Sequence, residues 1–359
     1  MRIMTNDRLS MTGKAAAVAL VCLLLASTGL AAFSKVGTTG ASFLKIGVGR
    51  ATAMGEAFTA VANDASASYF NPAGLAHAAR QVQFNHADWI ADINHDHLSV
   101  VLPVSGFGTV SFAVTALTMG DMEQTLIDNP NTRAREDEGT GLMFGAADFC
   151  VAASYARIIT DKLSFGLTAK GVQQSIWDMS ASALGLDFGL FYNTGFRSLR
   201  IGAAVNNFGT QLAFSGRQLE YGVTWPDSGP PQLPGQYRTN GMPLPTLFRF
   251  GIAYDIIEKS EASPSRLTGA VDLIHPSDIN ETVNFGLEYG YNEFFFLRGG
   301  YVLNVDRDYA KEIGELTGLT AGLGVATEPA QGLNLGLDYS FRYLKYLKPT
   351  HRLQLTVGF

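Results

Sequence analysis

The sequence predicts an all-β chain: a transmembrane antiparallel β-barrel of about 14 strands carrying a small N-terminal plug. Three observations carry this. Hydrophobic residues make up 47% of the 359 positions, yet past the N-terminal leader no run reaches the roughly 18 apolar residues that a membrane helix needs. The apolar residues are spread instead by alternation with a period of two. The candidate strands, finally, are joined by links that tend to alternate between long and short, the asymmetry of a barrel with outer loops and inner turns.

Residues 1–32 read as a secretory signal peptide, because Arg2, Arg8 and Lys14 precede an apolar stretch over 15–25 and small residues follow through Ala32. Cys22 lies in this segment, and Ala19-Leu20-Val21 before it lack the small residue that a lipoprotein cleavage site wants. Cys150 is then alone in the mature chain, so no intramolecular disulfide is available. Losing the leader removes three basic residues and one acidic residue from totals of 26 and 32, which leaves 23 and 31 and a charge of about −8. An acidic exported chain is a poor candidate for nucleic-acid binding.

Residues 33–80 form the expected plug, centred on 47–76, GVGRATAMGEAFTAVANDASASYFNPAGLA. This stretch has few bulky apolar side chains and precedes the strands, so something must enclose it. Gly49, Gly55 and Gly74 allow tight turns, and Asn71-Pro72 breaks the local pattern. Asn71-Pro72-Ala73-Gly74 is expected at the junction of plug and wall. Arg50, Glu56 and Asp64 can pair with charges of the surrounding lumen, and Met54 opens the motif.

Residues 81–359 form the expected barrel. Candidate strands cover 81–90, 96–104, 108–117, 147–159, 163–174, 183–193, 199–208, 246–256, 266–274, 281–291, 294–303, 318–326, 332–342 and 351–359. In the thirteenth, Leu333, Leu335, Leu337, Tyr339, Phe341 and Tyr343 alternate with Asn334, Gly336, Asp338, Ser340 and Arg342. Such strands have one face for lipid and one for a polar lumen. Trp89, Trp177, Tyr192, Phe294, Tyr301 and Tyr343 fall at strand ends, where an interfacial girdle belongs. The last strand alternates Leu353, Leu355, Val357 and Phe359 outward and ends on the aromatic, which reads as an assembly signal.

The run from Met54 to Ala76 resembles the N-terminal segment of the PorV/PorQ family, relatives of the FadL-type outer-membrane transporters. So do Asn206-Asn207-Phe208-Gly209, Pro243-Leu244-Pro245-Thr246 and the terminal Phe359. The resemblance implies a bacterial outer membrane location, contact with its lipid and with the barrel assembly machinery, and a FadL-like barrel. It implies one of two roles. The main reading is as in PorV, a scaffold or shuttle in type IX protein secretion with secretion-system proteins and exported cargo as partners, and charges turned into the lumen favour this sealed scaffold over a greasy conduit. As in FadL-type transporters, it would admit hydrophobic ligands.

No motif argues for an enzyme, a cofactor or a metal. Gly47-Val48-Gly49 has Thr at position 52 and no βαβ unit around it; Gly-x-Ser-x-Gly and P-loop patterns are missing. His86, Asp88, Asp92, His95, Asp96 and His97 lack known zinc spacing and read as a polar turn with histidines in solvent. Residues 133–138, RAREDE, read as a solvated loop; Asp306 and Asp308 read as loop charges.

The strand phases turn Lys170, Asp187, Arg200, Arg249, Asp255, Asp272, Glu288, Arg298, Asp338 and Arg342 inward. They also turn Ser111, Ala113, Thr115, Cys150, Ala152 and Ser154 inward on strands 108–117 and 147–159. This wall of small residues is expected to leave space for plug backbone or for a ligand.

Overall fold

The computed structural model describes residues 38–126, 139–223, 233–260, 263–306 and 318–359. The leader, the charge run 133–138 and Asp308 lie outside the described residues. Fourteen wall strands follow in order: β1 Gln81–Asp88, β2 Asn94–Val104, β3 Gly108–Thr118, β4 Ala146–Ile158, β5 Leu163–Ile176, β6 Met179–Asn193 and β7 Arg200–Gly209. They continue as β8 Leu247–Ile257, β9 Ser265–Pro276, β10 Thr282–Tyr291, β11 Phe295–Asn304, β12 Leu319–Ala330, β13 Leu333–Arg342 and β14 Thr350–Gly358.

Each strand pairs antiparallel with the next, and β14 returns to β1 in register from Gln81↔Gly358 to Asp88↔His351. The sheet therefore closes on itself and leaves no unpaired edge. Short strand pairs extend the long links, Met122–Glu123 with Met143–Phe144 and Gln211–Leu212 with Met242–Pro243.

The alternation works as the pattern requires. On β6, Ala181, Ala183, Asp187 and Phe191 are buried, whereas Leu184, Leu186, Phe188, Leu190 and Tyr192 are exposed. The outer face is thus apolar around the barrel, as lipid contact demands. One break in register falls between β6 and β7, where Asn206 and Asn207 together oppose Asp187. Asn207 takes a left-handed φ of 60°, the signature of a β-bulge.

Two expectations change. Strand β2 starts at Asn94, two residues further into the presumed turn, so His95 is a wall residue, and both it and His97 are buried in the lumen and not in solvent. Trp89 does not face lipid as a girdle residue. The Arg352 guanidinium stacks on its ring at 5.2 Å, and the ring packs on the inner apolar cluster.

Inside the barrel the plug folds as four short turns: Ser42–Lys45, helix α1 Gly49–Ala53, helix α2 Ala67–Phe70 and Pro72–His77. None is long enough to persist alone. They hold because the wall encloses them: Val48, Ala51, Met54, Phe58, Ala62, Phe70 and Leu75 form one buried cluster with wall residues Val101, Ala156, Ala253 and Ala270.

Candidate functional site

The site is the lumen, where plug meets wall. Its base is Asn71-Pro72-Ala73-Gly74. Proline opens the last turn with its preset φ. The Asn71 Oδ1 caps that turn by accepting from the Ala73 amide at 3.1 Å. The Asn71 Nδ2 donates to Thr59 O at 2.8 Å and to Leu190 O of β6 at 3.0 Å. The motif therefore ties plug to plug and plug to wall with one side chain. His77 follows, with a ring nitrogen 3.0 Å from Ser164 Oγ and its ring 4.8 Å from that of Phe191. Burial, and then the charge of Arg200, hold His77 below its ordinary pKa.

A second set of contacts is ionic. Arg50 donates to Asp64 Oδ2 at 2.6 Å, to Glu288 Oε2 of β10 at 3.2 Å and to Asn63. Glu288 also accepts from Arg298 at 2.6 Å and from Arg266 at 2.9 Å. Arg298 reaches on to Asp338 at 2.5 Å. Burial works against the Arg50 charge, but Asp64 and Glu288 outweigh it and hold the guanidinium above its ordinary range. Further up the segment, Glu56 accepts from Arg342 of β13 at 3.0 Å.

Single wall side chains hold the rest. Asp272 Oδ2 accepts from the Phe58 amide at 2.9 Å, the Thr59 amide at 2.8 Å and the Thr59 hydroxyl at 2.6 Å. The Arg50 amide donates to Gln354 Oε1, the Gly49 amide to Asn85 Oδ1, and Arg352 Nε to Gly47 O. At the long-loop end, Asp278 accepts from Lys45 at 2.5 Å and from Thr39 at 2.6 Å.

The small-residue wall is covered. Ser111, Ala113, Thr115, Cys150, Ala152 and Ser154 all face inward and are buried. Cys150 packs in a cluster with Ala41, Phe43, Leu44 and Ile46 of the plug. The Tyr69 ring meets His97 edge-on at 5.5 Å, and Ser99 Oγ donates to Ala65 O at 2.8 Å. Next to this wall, Lys170 reaches Asp187 and Asn207, each at 2.7 Å, which fixes the bulge. Asn207 Nδ2 donates to Pro245 O and Thr246 Oγ1 to Asn207 O, so the two motifs noted after position 200 meet here.

Open space lies on the opposite wall. A cavity of about 560 Å³ opens at the long-loop end among Ile279, Val302, Asn304, Arg342, Leu344 and Leu347. A second, of about 310 Å³, opens at the short-turn end beside Arg50, Asp64, Phe296, Arg298 and Asp338. The sequence pattern marked Arg298, Asp338 and Arg342 as inward and Arg50 and Asp64 as plug residues able to pair with such charges. It did not disclose the cavities, nor the role of Asp272, because both depend on which strands stand opposite the plug. At the C-terminus, Leu355 and Phe359 face outward, and the Phe359 amide donates to Arg80 O.

A model of an uncharacterised protein family, UPF0164, matches residues 27–159. No curated protein matches the sequence. Among solved structures, the CymD monoaromatic hydrocarbon channel is similar at a TM-score of 0.50 and 15% identity, over 91% of this chain and 99% of CymD. A deltaS2 mutant of the TodX monoaromatic hydrocarbon channel is similar at 0.52 and 14%, over 86% and 96%. The Pseudomonas putida toluene transporter TodX is similar at 0.50 and 14%, over 86% and 96%. At such identities the likeness is one of fold. None of these likenesses is to PorV or PorQ specifically; what they show is the fold, a closed 14-stranded antiparallel β-barrel like that of the FadL-like hydrocarbon channels.

Proposed function

We propose that this chain is an outer-membrane barrel that takes up hydrophobic small molecules. The carrying observation is the cavity of about 560 Å³ at the long-loop end, where Ile279, Val302, Leu344 and Leu347 supply apolar surface beside the polar Asp278, Asn304, Arg342 and Lys345. It is the size and character of a small-ligand pocket, and it opens on the side that the long loops mark as the cell exterior. The hydrocarbon channels of similar fold support the same reading. The inward charges first argue against a greasy conduit. Their partners remove that objection, since Arg50, Glu56, Glu288 and Arg342 are engaged in holding the plug.

Purified barrel in proteoliposomes should accelerate entry of labelled toluene over protein-free vesicles. Entry no faster than into protein-free vesicles, for toluene and for a longer apolar ligand such as oleate alike, would remove this reading.

The type IX secretion role is the second reading, and the enclosed plug favours it: a filled lumen suits a scaffold. It predicts that deleting the gene depletes proteins from the cell surface while hydrocarbon uptake stays unchanged.

A further inference from the structure

We propose that two copies of this chain pair in the membrane, joined about a two-fold axis along the membrane normal at the seam where β14 meets β1. The contact concerns the outer face of the wall and stands apart from what the lumen carries.

The seam interrupts the apolar band. A transmembrane barrel shows lipid an apolar band about 25 Å tall, and a tilted strand climbs about 5 Å for each outward residue, so about five outward residues fill it. On β10 the outward set is Val283, Phe285, Leu287, Tyr289 and Tyr291, which fills the band. On β1 it is Val82 and Phe84, followed by His86 and Asp88, both exposed. Next to it, β2 turns to Asp96 and Asn94 after Leu98, and β14 sets His351 beside Asp88.

A charge on the lipid face destabilises a barrel, the more so the deeper it lies. Part of that cost is met within the patch. His86 Nδ1 lies 2.7 Å from Asp96 Oδ1, and the Tyr339 hydroxyl of β13 lies 2.6 Å from His351 Nδ1. Asp88 pairs with no side chain among the described residues.

A second copy supplies the missing partners. Strands β13, β14, β1 and β2 stand side by side in that order. A two-fold axis at the seam sets β14 against β1 of the second copy and β13 against its β2, at equal height. Acids then face bases. One side carries Asp88 and Asp96, with Asp92 exposed in the turn above; the other carries His351, with Lys348 exposed just before β14 begins. Register fixes the heights: Asp88 and His351 are partners, and Asp92 and Lys348 each lie a few residues further toward the long-loop end. The His351 ring also lies 6.0 Å from that of Tyr339 and 5.6 Å from that of Phe341, an aromatic face for the His86–Asp96 pair of the other copy. An isologous contact makes every such pair twice. Because this chain carries both halves of the complement at matching height, the occupant is a second copy and not a different protein.

The test uses the mature barrel in a Cys150→Ala background. Phe84→Cys and Leu355→Cys, on either side of the seam, should each give a covalent dimer with a short bis-maleimide in outer-membrane vesicles, whereas Phe248→Cys on the lipid face of β8 should stay monomeric. The charge pattern is read between copies in detergent by mass photometry. A chain with Asp88→Lys and Asp92→Lys, and another with His351→Glu and Lys348→Glu, should each self-associate about tenfold more weakly than wild type, since like charges then meet. Mixed, they should form a heterodimer with affinity near that of wild type, because every contact is again of opposite sign. The mixture separates pairing between copies from pairing inside one barrel, where Asp88 and His351 are also neighbours. Heat-modifiable migration confirms that each variant is folded. Cross-linking of Leu355→Cys no greater than that of Phe248→Cys overturns the seam contact. Capture of a different protein at Leu355→Cys overturns the second copy as occupant. A mixture as weak as its separate components overturns the charge pairing.

Discussion

The two walls of the lumen answer the plug in opposite ways. On β3 and β4 the inward residues are small, and the plug turns its bulk toward them: Phe43, Leu44, Tyr69 and Leu75 fill the space that alanine, serine and Cys150 leave. On β10–β13 the inward set includes the long charged Glu288, Arg298, Asp338 and Arg342 and the glycines 286, 300 and 322, and the plug presents backbone with two ionic ends. Side-chain size alone points to the small wall as the open one. The reverse holds, because a small side chain invites apolar packing to completion, whereas long charged side chains bridge a gap by ion pairing and leave volume beside them.

Excising residues 47–76 removes the partner of both walls and should have the largest effect: an inserted barrel whose ion conductance rises to that of an open pore. An intact-level conductance would mean that this segment is not the plug.

Glu288→Gln strands Arg50, Arg266 and Arg298 without their shared carboxylate. Removing one member of a buried ionic group costs about 3–5 kcal/mol, which urea unfolding in detergent micelles should register.

Adding volume separates the walls. Gly300→Val pushes directly on the Gly55 backbone, so conductance should rise while folded yield holds. Ala152→Trp overpacks the filled wall, at roughly 1–3 kcal/mol, and should lower unfolding stability more than it raises conductance. Leu335→Trp, on the lipid face, should do neither. Equal responses of Gly300→Val and Ala152→Trp would erase the distinction.

The smallest effect concerns pH. His77 sits below its ordinary pKa through burial first and Arg200 second, so the folded form binds fewer protons than the unfolded one. Its contribution to stability is present above the ordinary imidazole value of about 6.5 and is lost as pH falls through that value toward the lower folded one. Melting of the heat-modifiable form should drop slightly between pH 7 and pH 5, and His77→Gln should flatten that drop.

Much of this was legible in the chain itself. All fourteen strands stand within a few residues of the spans that alternation marks, and the phase that buries Ala113 and Cys150 while exposing Phe112 and Val151 is the observed one. Periodicity is a local property, read over ten residues. The exceptions are local too: polar His95 looked like a turn residue, and His97, inside the marked strand, like a solvent-facing one, because their partners in the lumen are distant in sequence.

The sequence by itself determined that the chain alternates as barrel strands, that a small-residue segment precedes them, and that charge would line the lumen. Only the tertiary structure decided which charge meets which. Arg50 and Glu288 are 238 positions apart, and their pairing depends on the closure of β1 on β14 and on the register of every strand between. A one-residue slip in any pair would turn the lumen set toward lipid. The placement of open space was decided there as well, because volume belongs to the fit of plug against wall and to no single stretch of chain.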